Sequence, residues 1–352
     1  MTMEKNLTSI ELVKKVLVQL RRTRMDHLIS VSNAEWYSLF KDEIRNSIAI
    51  EGVFANRTEL IDVLENNKRT DKHKAAAILG YFESASTMYD YAANQFKEKE
   101  FLLRMSDIKQ IHTLLMRYEK EMGFYNGAIG EFRNTRVEVS NSTFTPISEF
   151  YVRPACELLI KWVNFHLKGM KYDPVVLASM AHVWFESIHP FRDGNGRAGR
   201  ILLSYILIGC GLVNIAIKGI SKVDRDFYYD ALEKADDDFE AIHREIEAGK
   251  SIHLSEVNQR LGVGKINPFL SIVVDRLKDS VSRLKDINRS GINQNAELPL
   301  SDLARMYNYS QNYLRNLINR GKLKGVKKGK TWYVRVHDLA KYVDQLNPKS
   351  QD

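Results

Sequence analysis

The sequence predicts a mainly α-helical fold with one short β-hairpin and a small C-terminal module that mixes helices with strands. Three features predict it. Apolar residues recur at helical spacing through most of the first 290 of the 352 residues. One stretch, "GEFRNTRVEVSNSTFTPI", alternates apolar and polar residues instead. Beyond "NRSGINQNAE", Asn288 to Glu297, a polar stretch suited to a linker, the pattern changes to helix, turn, helix, two strands and helix.

The elements follow in order. "TSIELVKKVLVQL" opens on a capping-box pattern, Thr8 to Glu11, and continues with Leu12, Val13, Val16, Leu17 and Leu20 on helical spacing. "SNAEWYSLFKDEIRNSIAIEGV" starts the same way, Ser32 to Glu35, and should run to near Gly52. Helical spacing returns in "KHKAAAILGYFESASTMYDYAANQF", "MSDIKQIHTLLMRYE" and "ISEFYVRPACELLIKWVNFHL", and Asp173-Pro174 starts "PVVLASMAHVWFESI". In the hairpin, Val137 and Val139 alternate with polar residues ahead of a Ser140-Asn141-Ser142 turn. The uncharged run Ile201–Ile217 is shorter than the ~20 residues of a bilayer span. Gly209 and Gly211 break it, so it reads as a buried helix and a turn, with no membrane as partner. Near the C-terminus, a helix starts by Ser301, Ser310 caps a second that ends at Gly321, and two strands flank a Lys/Gly turn before a last helix. The expected boundaries are an N-terminal helical region 1–95, a core 96–245, a helical extension 246–290 and the C-terminal module 296–348.

Charge separates these parts. The chain carries a net +8, but Leu303 to His337 holds nine Lys or Arg and no Asp or Glu, which leaves the remainder at −1. Electrostatic attraction to a partner therefore starts at the C-terminal module. "MTMEKNLTSIELVKK" has no apolar core of a secretory signal, and Cys156 and Cys210 form no CxxC pair. Both features predict a cytoplasmic protein without a disulfide framework.

The chemistry concentrates in "HPFRDGNGRAGR", His189 to Arg200. Pro190 ends the preceding helix, Gly194, Gly196 and Gly199 permit tight turning, and a long apolar helix starts around Arg197. Unsatisfied backbone N–H groups at such a turn bind anions, aided by the helix dipole. Arg197 and Arg200, three apart, are placed to reach successive phosphates, and Asn195 adds an amide donor. Asp193 would repel a phosphate unless a cation lay between them, which suits Mg²⁺, or Mn²⁺ in its place. His189, at the entrance, is suited to taking a proton from a hydroxyl. Phe191 should anchor the loop in the core. The set points to nucleophilic substitution on a nucleotide phosphate. His182, Glu186 and His189 have a tempting spacing for zinc, but there is no HExxH, and His182 sits among core residues, so zinc is rejected.

This stretch resembles the signature of Fic-domain proteins, H-P-F-x-[D/E]-G-N-G-R-x-x-R, with every specified position filled. The likeness runs from about Asn46 to Asp238. It implies a Fic-type helical core under a β-hairpin flap, and transfer of AMP from ATP to a Ser, Thr or Tyr hydroxyl of a target protein, or of the chain itself. By that resemblance His189 is the general base and Asp193 holds the metal. The stretch Gly194, Asn195, Gly196, Arg197, Ala198, Gly199 and Arg200 binds the phosphates. Flap residues Val137, Glu138 and Val139 align the target by strand pairing. Tyr228, Tyr229 and Asp236 lie at the adenine end, Asp236 standing where relatives often carry Asn. Ser140-Asn141-Ser142 and Val152-Arg153-Pro154 also depart from the family's usual flap sequences. A related branch that transfers phosphate carries Lys at the position of Gly196, which disfavours a kinase.

"SIAIEG", with Ser47, Glu51 and Gly52, fits the family's inhibitory pattern [S/T]-x-x-x-E-[G/N]. The resemblance implies that Glu51 pairs with Arg200 and blocks productive seating of ATP. The same glutamate could instead position a water that removes AMP, making the chain a de-adenylylating hydrolase. The C-terminal module resembles the winged helix-turn-helix of excisionase-like DNA-binding proteins. Gln311, Asn312 and Arg315 would face a major groove, and Lys327, Lys328 and Lys330 on the wing would meet phosphates. That keeps open a nucleotide-sensing DNA-binding regulator, and a homodimer is a further partner to expect.

Overall fold

The computed structural model describes residues 2–24, 29, 33–66, 71–138, 145–169, 172–289, 297–306 and 309–346. The chain divides into two compact units, one made of Met1–Val18 with Phe40–Ser280, the other of Gln19–Leu39 with Val281–Asp352. The helices are α1 Met3–Arg24, α2 Ala34–Ile50, α3 Arg57–Glu65, α4 Lys72–Lys97, α5 Met105–Glu121 and, after a 3-10 turn at Glu149–Tyr151, α6 Val152–Gly169. They continue with α7 Pro174–Ile188, α8 Asn195–Gly209, α9 Lys222–Glu247, α10 Leu254–Arg260 and α11 Val263–Arg289.

Several local expectations change. Thr8 is no cap: its hydroxyl donates to the Glu4 carbonyl at 3.0 Å, inside a helix that already began at Met3. At α2 the capping acceptor is Asn33, whose Oδ1 takes the Trp36 N–H at 3.1 Å; Ser32 lies outside the described residues. The sequence reading passed over α3, which a reciprocal Asn56–Glu59 capping box starts. No strand forms in 131–138, so the expected hairpin is not met there, while Val139 and Ser140–Ser142 lie outside the described residues. The Arg133 N–H and guanidinium bond to carbonyls of Pro190, His189, Ile188 and Ile147 instead.

The core of the first unit packs α4, α5, α7 and α8 together. At Gly80 a Cβ would stand 2.0 Å from the Leu115 carbonyl, so the missing side chain lets α4 and α5 approach. Nearly every residue of α7 is buried, as expected of a helix that is apolar all round. The uncharged run forms α8, buried from Ile201 to Gly209, then turns at Gly211, where φ is +81°. Among the described residues no helix is long and apolar enough to cross a membrane.

In the second unit β1 Glu297–Pro299, α12 Leu300–Met306, α13 Gln311–Asn319, β2 Gly325–Lys328, β3 Thr331–Arg335 and α14 Val336–Leu346 follow one another. The antiparallel sheet has the order β1-β3-β2, with Leu298 opposite Val334 and Lys328 opposite Thr331. Gly329, at φ +62°, turns β2 into β3. Ser310 caps α13 by accepting the Tyr313 N–H, and Leu303, Leu314, Leu317, Leu323, Val334 and Leu339 form the core. Glu297, read as the end of a linker, is a strand residue.

Candidate active site

Two short breaks in helical geometry build the site. α7 ends at His189, whose φ of +51° is left-handed, and Pro190 keeps the helix from continuing. Arg133 donates from Nε to the His189 carbonyl at 2.8 Å and supports the turn. Five residues on, Gly194 at φ +77° starts α8, whose N-terminus carries no side-chain cap. The first N–H groups of α8 therefore face a cavity of about 250 Å³. Its walls include Glu51, Glu138, Glu186, His189, Arg200 and Asp236.

His189 Nδ1 donates to the Glu186 carbonyl at 3.4 Å, leaving the Nε2 lone pair for a proton. Burial pushes its pKa down to about 4, against the Glu186 carbonyl, so the ring is neutral at pH 7. Asp193 is exposed on the cavity wall, and its Oδ1 accepts the Gly194 N–H at 2.5 Å. A lone carboxylate beside an open helix N-terminus suits Mg²⁺, which takes few protein ligands and completes its shell from other oxygens and water. Among the described residues no cluster of three or more His, Cys, Asp or Glu could hold a metal alone.

Arg200 is buried in a cage of acceptors. Nε donates to Ser47 Oγ at 2.7 Å, and Nη2 to the Ser47 carbonyl at 3.0 Å and to Glu51 Oε1 at 2.6 Å. Its guanidinium also lies 5.7 Å from the Tyr228 ring. A Cβ at Gly196 would stand 2.3 Å from Glu51 Oε1, so glycine makes the room that the carboxylate fills. Glu51 itself closes α2 in a Schellman turn. The Val53 N–H reaches the Ile48 carbonyl at 3.0 Å, and the Gly52 N–H reaches Ala49 at 3.1 Å, with Gly52 at φ +83°.

Other residues fall elsewhere than the sequence suggested. Arg197 does not share the cavity with Arg200; it is buried and forms a bidentate pair with Glu119 on α5. The Asn195 side chain, on the cavity wall, is taken up within the loop. It staples the loop, accepting the Phe191 N–H and donating to the Phe191 carbonyl, both at 2.8 Å. Ala198 is buried, and Gly199 serves helix packing, since a Cβ there would stand 2.0 Å from Glu186 Oε1. Tyr228 and Tyr229 line the cavity, with the Tyr228 hydroxyl 2.9 Å from His182 Nε2 and that of Tyr229 donating to the Ile50 carbonyl at 3.2 Å. Asp236 lines it too, its pKa raised to about 7 by burial and by Glu240, Glu233 and Asp237. Glu138 joins this wall, whereas Val137 lines a neighbouring groove.

Sequence reasoning missed three supports. His112 accepts the Gly130 N–H at Nδ1, donates from Nε2 to the Asp193 carbonyl, and stacks on buried Phe191 at 3.8 Å. Arg133 holds the end of α7. Glu186 lines the cavity with its carboxyl pushed up to about 8 by burial, against Arg200. A lone His, Arg or Glu on an amphipathic stretch carries no local signal of such a role.

Residues 102–207 match the Fic/DOC family. They form a Fic domain. A second match, to a helix-turn-helix domain, covers 298–347. Among similar sequences, a probable protein adenylyltransferase of Aquifex aeolicus is 28% identical over 305 residues, 86% of this chain and 87% of that one. The protein adenylyltransferase fic-1 of Caenorhabditis elegans is 30% identical over 145 residues, and the chain spans 27% of its length. The protein adenylyltransferase Fic of Aedes aegypti is 29% identical over 199 residues, with 36% of its length spanned. In fold, the chain is similar to a Fic-domain-containing signaling protein from Bacteroides thetaiotaomicron, with TM-score 0.59, 20% identity, and 79% of this chain and 97% of that one covered. A solved portion of C. elegans Fic-1 gives the same TM-score at 18% identity, covering 82% of this chain and 74% of the other. The stretch His189–Arg200 lies wholly inside the residues that match the Fic/DOC family, whereas Ser47, Glu51 and Gly52 precede them.

Proposed function

We propose that the chain is a protein adenylyltransferase that moves AMP from ATP to a hydroxyl of a target protein or of itself, and that Glu51 holds it inactive. The observation that carries this reading is a carboxylate where an anion belongs: Glu51 lies against Gly196 and Arg200 at the open N-terminus of α8. The relatives named protein adenylyltransferases support the same chemistry.

In the reaction, the first N–H groups of α8 receive the phosphate chain and Arg200, once free of Glu51, neutralises its far end. His189 Nε2 takes the proton of the incoming hydroxyl, whose oxygen bonds to the α-phosphorus. The bond from that phosphorus to the bridging oxygen breaks, and pyrophosphate leaves. Asp193 would hold Mg²⁺ together with phosphate oxygens, and the ion would offset charge on the leaving group. Arg197, paired with Glu119, braces α8 on α5 and does not touch nucleotide in this scheme.

The test incubates wild type, Glu51→Gly and Glu51→Gly/His189→Ala with Mg²⁺ and ATP labelled at the α- or the γ-phosphate. An AMP-sized mass gain carrying only the α-label, strongest in Glu51→Gly and lost with His189, is expected. Transfer of the γ-label would mean kinase chemistry instead. No covalent label in any variant would leave a nucleotide-binding regulator. A second role in binding duplex DNA is supported by the helix-turn-helix match and by exposed Gln311, Asn312 and Arg315 on α13.

A further inference from the structure

Glu43 is a carboxylate that adenylyl transfer does not use, yet it lies on α2 one turn before Ser47 and two before Glu51, only 2% exposed. Its Oε1 accepts from the Tyr81 hydroxyl at 3.0 Å and the Tyr89 hydroxyl at 2.5 Å, and its Oε2 from Asn214 Nδ2 at 2.7 Å. Both tyrosines belong to α4, and Asn214 follows α8. On the same helix, the Ser47 hydroxyl accepts from Arg200 at 2.7 Å. Glu43 therefore sits two turns from the carboxylate that pairs with Arg200, on the same helix.

Further ties fix the same helix. Asn46 Oδ1 accepts the Gly219 N–H at 3.1 Å, and a Cβ at Gly219 would stand 2.2 Å from Ile50 Cγ1. The Tyr229 hydroxyl holds the Ile50 carbonyl. Phe40 packs on Phe82 and Tyr89. By contrast, the Glu51 side chain is 32% exposed and bonds to Arg200 at one oxygen.

Building on the autoinhibited reading above, we propose that Glu43 is a positioning residue for the brake. Its bonds to Tyr81, Tyr89 and Asn214 lock α2 in place, so ATP gains Arg200 when the Glu51 side chain turns away and α2 stays. Withdrawing α2 would orphan a buried carboxylate and two buried hydroxyls. Swinging Glu51 outward breaks a single ion pair, and the phosphate that enters takes over the charge of buried Arg200.

The experiment measures α-label transfer from ATP in full-length Tyr81→Phe, Tyr89→Phe and Glu43→Gln, each alone and combined with Glu51→Gly. Each removes or mismatches one bond at nearly constant volume, and thermal unfolding checks that the variants fold. Amide hydrogen exchange over residues 43–50 is followed in wild type with and without saturating ATP and Mg²⁺. The expected result is a roughly three- to tenfold rise in label transfer for the single variants, the scale of one buried hydrogen bond, with less than about a twofold change in the Glu51→Gly background. Exchange in α2 should stay slow when ATP binds. A merely structural role would lower both activity and Tm, and would not raise transfer. Single variants at or below the wild-type level, with Glu51→Gly active, would overturn the proposal, as would ATP speeding exchange throughout α2. If Glu51→Gly is itself no more active than wild type, the autoinhibited reading fails first.

Discussion

His189 holds the left-handed conformation that non-glycine side chains rarely adopt, and several hydrogen bonds keep it there. The strain aims the ring into the cavity, where burial keeps it neutral. A base must be unprotonated, so activity is lost as pH falls through the pKa. With the pKa pushed down to about 4, the acid limb of kcat/KM for ATP in Glu51→Gly should lie well below the ordinary histidine value near 6.5. Rates measured from pH 4 to 8 check this, and a limb at 6.5 that persists in Asp236→Asn and Glu186→Gln would mean a solvated ring. His189→Ala should lower transfer by ~10²–10⁴-fold while ATP still binds. Asn195→Ala should act through the loop: it strips two partners from the buried Phe191 backbone, at about 1–3 kcal/mol of stability, read by denaturant unfolding.

At the scale of elements, the Ser47–Glu51–Gly52 pattern is a helix-ending device. Ser47 sits one turn before the end of α2, Glu51 at its C-cap, and Gly52 in the left-handed position that closes the Schellman turn. A Cβ at Gly52 would meet nothing within 4 Å, so Gly52→Ala isolates the backbone term, about 1–2 kcal/mol. The expected outcome is looser seating of Glu51 and up to about a tenfold rise in α-label transfer, with Gly52→Asn showing less. The close fit of α7 on α8 gives a second prediction. Gly199→Ala would push the Glu186 carboxyl end aside and press on the Phe185 ring at 3.0 Å, and should cost about 1 kcal/mol in thermal unfolding.

For the whole molecule, charge is partitioned: the net positive charge concentrates in the helix-turn-helix segment, while the rest is close to neutral. Lys327 and Lys330 are exposed on the β2–β3 wing, whereas Lys328 pairs with Glu297 at 2.9 Å and lies over Tyr333. If the wing meets phosphates, the affinity of the full chain for duplex DNA should fall with salt. Lys327→Glu/Lys330→Glu should then flatten the log–log slope by about 2. Titrations at several salt concentrations check it, and salt-insensitive binding would point to a partner other than a polyanion.

The sequence by itself determined the helical character, the wing, the break between α7 and α8, and the Ser47–Glu51–Gly52 helix end, because each is written in neighbouring residues: Pro190 and Gly194 at the break, Gly52 at the end of α2, Gly329 in the wing. It also brought His189, Asp193, Gly196 and Arg200 into one short stretch. Only the tertiary structure decided what each side chain meets. Arg197 looked like a phosphate ligand until Glu119, 78 residues earlier, proved to hold it, and Asn195 looked like an anion donor until its amide closed on Phe191. Helical spacing fixes the direction in which a side chain leaves its own helix but says nothing of the partner opposite. A guanidinium or amide goes to whichever acceptor packing brings within hydrogen-bond reach, since leaving it buried and unpaired costs more than any local preference supplies. The same physics hid Glu43, Glu186, His112 and Arg133, whose roles exist only between segments far apart in the chain.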